Sequence, residues 1–137
     1  MKIANIGGAK AAIVEFRKKE YYFLFNGMAL FALEDAFGNS EYFDRITQKT
    51  AEGNADLISM SAILAMQGEL ARRELGLSPK EDITEKEFGT PLTLQPMDIL
   101  ALRNGCVEAV NLGYTREVKD EDEEVDLGLI ELQKKRK

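Results

Sequence analysis

The stretch YYFLFNGMALFALEDAFG, residues 21–38, changes its apolar period half-way, and few folds accommodate that change. Residues 21–25 are an aromatic-rich run that suits a strand. Asn26 then offers an N-cap oxygen, and Leu30, Leu33 and Phe37 recur at helical spacing. Gly38 supplies a left-handed stop. A strand that feeds a capped helix so directly makes a compact nucleus for a small α+β domain. Upstream, residues 11–16 (AAIVEF) read as a second strand. Residues 17–20 between the two strands read as a charged four-residue turn, which gives an N-terminal β-hairpin.

Downstream the pattern is helical. Glu41 to Gln48 suits a short helix with Ser40 as its cap, burying Tyr42, Phe43 and Ile46. Gly53 marks a break over residues 50–54, and Asn54 can cap a long helix over residues 55–75. The first half of that helix, LISMSAILAM, is apolar nearly all round, so it is either central in a core or covered by another chain. If covered, Ile58, Met60 and Met66 are the candidate contact positions, the methionines being adaptable fillers in either case. Residues 77–91 read as a connector with one helical turn. Pro96, with Asp98 in the first turn, opens a last helix that runs to about Leu112 and is closed by Gly113. Cys106 lies on its buried stripe, together with Ile99, Leu102 and Val110.

The charge is local. Residues 117–126 hold seven acids and one lysine, which accounts for the whole net charge of −6, and the remainder of the chain is balanced. No basic stripe exists outside residues 17–19 and the last four residues, which argues against nucleic acid as a partner. The acidic run cannot bury apolar surface and reads as a mobile tether. Leu127, Leu129, Ile130 and Leu132 follow it as an apolar cluster suited to docking, with Leu129 and Ile130 as further candidate contact positions. The expected organisation is therefore one mostly helical α+β domain over residues 1–114, its hairpin packed on a bundle of about four helices. A disordered acidic C-terminal segment would occupy residues 115–137.

Little catalytic chemistry is available. The chain has no histidine, which removes the usual neutral-pH base and the commonest metal ligand. Cys106 is the single cysteine, too few for a thiolate zinc site or an internal disulfide, and it fits a reducing compartment. Gly7, Gly8, Ala9 and Lys10 approach a phosphate loop, but Ala11 stands where Ser or Thr should follow the lysine. The acidic run approaches a calcium loop, but Val125 or Leu127 stands where the turn needs glycine. No apolar run is long enough for a membrane span, and the N-terminus lacks a signal-peptide layout. A non-enzymatic binding protein without cofactors is the expectation.

The nucleus also carries a resemblance. Phe25 and Asn26, Ala29 and Leu30, Leu33 and Glu34, then Phe37 and Gly38 are similar to an early segment of the tail assembly chaperones of long-tailed bacteriophages. Residues 92–114, LTLQPMDILALRNGCVEAVNLGY, resemble that family's closing helix. The resemblance implies an oligomeric protein of the host cytoplasm that keeps the tape measure protein soluble and recruits tail tube subunits. A structural virion component of tail-terminator or head–tail connector type, with the hairpin extending a sheet between subunits, is the alternative. A regulator whose acidic segment mimics nucleic acid is a third reading.

Overall fold

A computed structural model describes residues 2–38, 41–77, 82–115 and 123–127. The nucleus forms as its local signals dictate. Helix α1 spans Gly27–Phe37, with Asn26 Oδ1 accepting from the Ala29 N–H at 2.8 Å and Gly38 in the left-handed region at φ 82°. The preceding strand ends at Phe23, two residues earlier than the aromatic run suggests. Leu24 leaves the ladder because its N–H turns to a carbonyl of the long helix, and Phe25 then packs against Tyr42 and Tyr114.

The expected hairpin is part of a four-stranded sheet. Strands β1 (Lys2–Ile6), β2 (Ala9–Phe16), β3 (Lys19–Phe23) and β4 (Glu123–Asp126) are ordered β3-β2-β1-β4. The first three form an antiparallel meander, while β4 pairs parallel with β1. Gly7 and Gly8, at φ 62° and 95°, make the two-residue turn between β1 and β2. The β2–β3 turn is also two residues rather than four, with Arg17 at φ 49° and Lys18 at φ 69°. Left-handed backbone costs a non-glycine residue about 1–2 kcal/mol. Arg17 offsets this by donating to Thr93 O at 3.0 Å and Asp98 Oδ2 at 3.1 Å while lying over the Phe16 ring.

Strand β4 corrects the expectation of a wholly mobile tether. The outer edge of β1 presents unpaired backbone groups, and an acidic segment can satisfy them without burying apolar surface of its own. Lys10 pairs with Glu124, and Asn5 Nδ2 donates to the same carboxylate at 3.4 Å. Apart from Thr115 and Leu127, the other residues of the C-terminal segment, Leu129 and Ile130 among them, lie outside the described residues.

The helices are α1, α2 (Tyr42–Ile46), α3 (Ala51–Glu74) and α4 (Pro96–Thr115), with a 3₁₀ turn at Glu85–Phe88. The fold is therefore α+β, with three N-terminal strands followed by the helices and then β4. Helix α3 begins a turn earlier than expected, because Thr50 Oγ1 accepts from the Gly53 N–H at 3.0 Å. Gly53 is not a break. Helix α4 likewise runs through Gly113, where a Cβ would stand 2.5 Å from Phe25 O.

Two helical glycines set how the layers meet. At Gly105 a Cβ would lie 2.4 Å from Val14 Cγ2, so α4 sits directly on β2. At Gly68 it would lie 1.8 Å from Tyr22 O, and Leu64 O accepts from the Leu24 N–H at 3.1 Å. Helix α3 thus closes the outer edge of β3 as β4 closes that of β1. On the helix-covered face, Phe88 is fully buried among Phe16, Tyr21 and Phe23, with ring centroids 5.4, 4.9 and 6.0 Å away. A smaller cluster of Ala4, Ile6, Ala11 and Leu24 fills the other face, with Ala71 and Leu127 against it.

Candidate functional site

Helix α3 is the central element of this domain, packed by α1, α2, α4, the 3₁₀ turn and β3. That position decides where its apolar side chains go. Ile58 and Met60 are buried in the main cluster, and Met66 is half-buried with its Sδ accepting from the Ile83 N–H at 3.4 Å. In this fold the apolar surface of Ile58 and Met60 is spent on the domain's own core. Leu129 and Ile130 lie outside the described residues, and among the described candidates Ile58 and Met60 are buried rather than brought together on a surface.

Among the described residues, Leu70 and Leu75 at the end of α3 are exposed by 41% and 38%, and the more exposed large apolar side chains stand on or beside two other helices. Met28 and Phe31, each 63% exposed, sit one turn apart on α1, opposite the buried Ala29, Leu33 and Phe37. Leu92, Met97 and Leu100, exposed by 91%, 76% and 52%, flank and open α4. The i, i+3 spacing of both helical pairs was present in the sequence. What the sequence lacked was which side of each helix the core would cover.

Each exposed set has a concavity nearby. A hollow of about 290 Å³ lies between the start of β2, the residues leading into α1 and the end of α4, lined by Leu24, Leu30, Leu112 and Tyr114 among others. A larger groove of about 590 Å³ runs between residues 48–54 and the start of α4. Ala51, Pro96, Ile99 and Leu100 form its apolar lining, and Lys49 and Arg103 are its charged residues.

The ionisable groups elsewhere are structural. Burial pushes the Cys106 thiol up to about 12, and Ser61 Oγ lies 3.6 Å from its sulfur, joining α3 to α4 in the core. Burial first, then the bond with the Tyr114 hydroxyl, raises Tyr42 to about 12. Glu69 is buried on α3, held by Arg72 at 3.1 Å and Arg73 at 3.7 Å. Among the described residues no group of three His, Cys, Asp or Glu side chains could hold a metal ion. Nor is any described helix long and apolar enough to cross a membrane. The arrangement can bind protein through apolar helix faces. No family model, curated protein or solved structure matches the chain.

Proposed function

We propose that this chain is a bacteriophage or prophage tail assembly chaperone, acting in the host cytoplasm without catalysis. The observation that carries the reading is the exposed apolar surface of α1 and α4, where Met28, Phe31, Leu92, Met97 and Leu100 stand uncovered on a domain whose core is otherwise closed. Exposed large apolar side chains grouped at helical spacing, as in each of these two sets, suit protein-binding surfaces. A long helical client such as the tape measure protein would lay its apolar stripe on them and be kept from self-association, with tail tube subunits recruited to the same assembly. The opening and closing segments that resemble the chaperone family are α1 and α4, which bear these exposed side chains.

The alternative, a virion component that extends its sheet between subunits, has less to work with. Helix α3 lies against β3, and the strand at the sheet's other edge is β4, four residues of which Glu123, Glu124 and Asp126 are acidic, so a second copy pairing there would set like charges side by side. Co-expression with the long helical protein encoded beside it tests the proposal. Co-purification and a gain in the client's soluble yield are expected. Recovery of this chain in purified particles, with no effect on the client, would favour the virion component instead.

A further inference from the structure

We infer that the groove between the start of α3 and the start of α4 receives one amphipathic helix of a partner protein, seated by its apolar stripe and by a carboxylate delivered to Arg103. The inference deepens the protein-binding reading above and rests on it.

The apolar half of the argument is the lining. Ile99, Leu100, Pro96 and Ala51 line a concavity open to solvent, and Met97 and Leu92 extend the apolar surface beyond it. The walls are made of residues of α3 and α4, the Thr50 cap and the linker residues Gln48 and Lys49, none of them in a strand, so no free strand edge is available for an extended peptide to join. A helix with apolar side chains at i, i+3 and i+4 can fill such a groove without leaving its own backbone groups unpaired.

The charged half fixes the partner's chemistry. Lys49 and Arg103 are the charged residues of the lining, and both are cations. Arg17, Arg45, Arg72 and Arg73 each hold a carboxylate, whereas Arg103 alone among the described arginines holds none. Its guanidinium makes one long hydrogen bond, Nη2 to Ile46 O at 3.4 Å, and its Nε is buried without a partner. The N-termini of α3 and α4 also bring the positive ends of two helix dipoles to the same rim. An arginine in this state favours a planar, bidentate anion, and a Glu or Asp beside the stripe of an incoming helix supplies one.

The test titrates the full ¹⁵N-labelled chain with two synthetic helices of about five turns. Both carry the same leucine stripe, flanked by glutamate in one and lysine in the other. The glutamate helix is expected to shift amide signals in residues 48–54 and 96–103 and to bind about tenfold tighter than the lysine helix. Leu100→Asp should abolish that binding, and Lys49→Glu should weaken it about three- to tenfold. Equal binding of the two helices, shifts confined to other surfaces, or no binding by either would overturn the inference. So would groove signals that change on dilution of the free protein, because they would place a second copy there. Glutamate-helix binding without co-purification of the tail client would sink only the chaperone reading. Co-purification that survives Leu100→Asp, with neither helix bound, would sink only the groove.

Discussion

Replacing Gly68 by alanine puts the closure of the sheet's edge to a test in which the sign of the effect is decisive. In an isolated helix the change stabilises by about 1 kcal/mol, through propensity alone. Here the new methyl would stand 1.8 Å from Tyr22 O and 2.8 Å from its carbonyl carbon, and both are backbone atoms that no rotamer change can move. Helix α3 would have to retreat by at least about 1 Å to reach ordinary contact. That retreat stretches the Leu24 N–H to Leu64 O bond, 3.1 Å in the native fold, past useful length. Overpacking costs about 1–3 kcal/mol and an orphaned buried N–H about 1–3 kcal/mol. The propensity gain offsets only part of this, leaving a net loss of about 1–5 kcal/mol. Urea unfolding followed by circular dichroism should show a midpoint lowered by about 0.5–2.5 M. Gly27→Ala, where a Cβ meets open space, should move it little. A Gly68→Ala protein as stable as wild type, or more so, would mean that α3 does not lie against β3.

Other consequences can be measured with the same material. Glu69→Gln leaves the largely buried Arg72 guanidinium beside a neutral amide while Arg73 keeps Asp82, so a loss of about 1–3 kcal/mol is expected, against almost none for Glu74→Gln. Phe88→Ala empties the space between Phe16, Tyr21 and Phe23 and should cost about 3–5 kcal/mol in the same urea assay. The Gln95 N–H, and then Arg17, hold the Asp98 carboxyl below its ordinary range, so its contribution is full above about pH 4 and is lost as pH falls through the lowered value. The stability gap between wild type and Asp98→Asn should therefore be present at pH 7 and shrink as the solution is acidified. The Cys106 thiol should react with a disulfide reagent only as fast as the protein unfolds, and at once in denaturant.

Local signals and long-range ones were not equally legible. Helix α1 has the bounds that Asn26 and Gly38 imply, because a cap and a left-handed glycine act within a few residues. The start of α4 at Pro96 was legible for the same reason, and Asp98 accepts from the Gln95 N–H there. Strand β4 escaped notice because it is short and exists through pairing with β1 at the other end of the chain, whereas β1 is short and the Gly7 and Gly8 that turn it into β2 also suit the start of a phosphate loop. Gly53 and Gly113 looked like helix breakers, yet they mark places where a helix approaches another backbone. Phe88 sat in what read as a connector and is a centre of the aromatic core. The exposed surface was the least legible part. Met28 and Phe31 differ from Leu33 and Phe37 only in facing away from α3, and a single sequence does not encode that relation in any local pattern.

The central claim is that exposed apolar side chains on α1 and α4 hold a helical client. The most direct measurement is co-purification of the neighbouring long helical protein with wild type and with a variant carrying Phe31→Asp and Leu100→Asp. Both positions are exposed, so the variant's urea midpoint should match wild type to within about 0.5 kcal/mol of stability. The expected result is loss of the client from the variant and retention by wild type. Equal recovery of the client by both proteins would contradict the account.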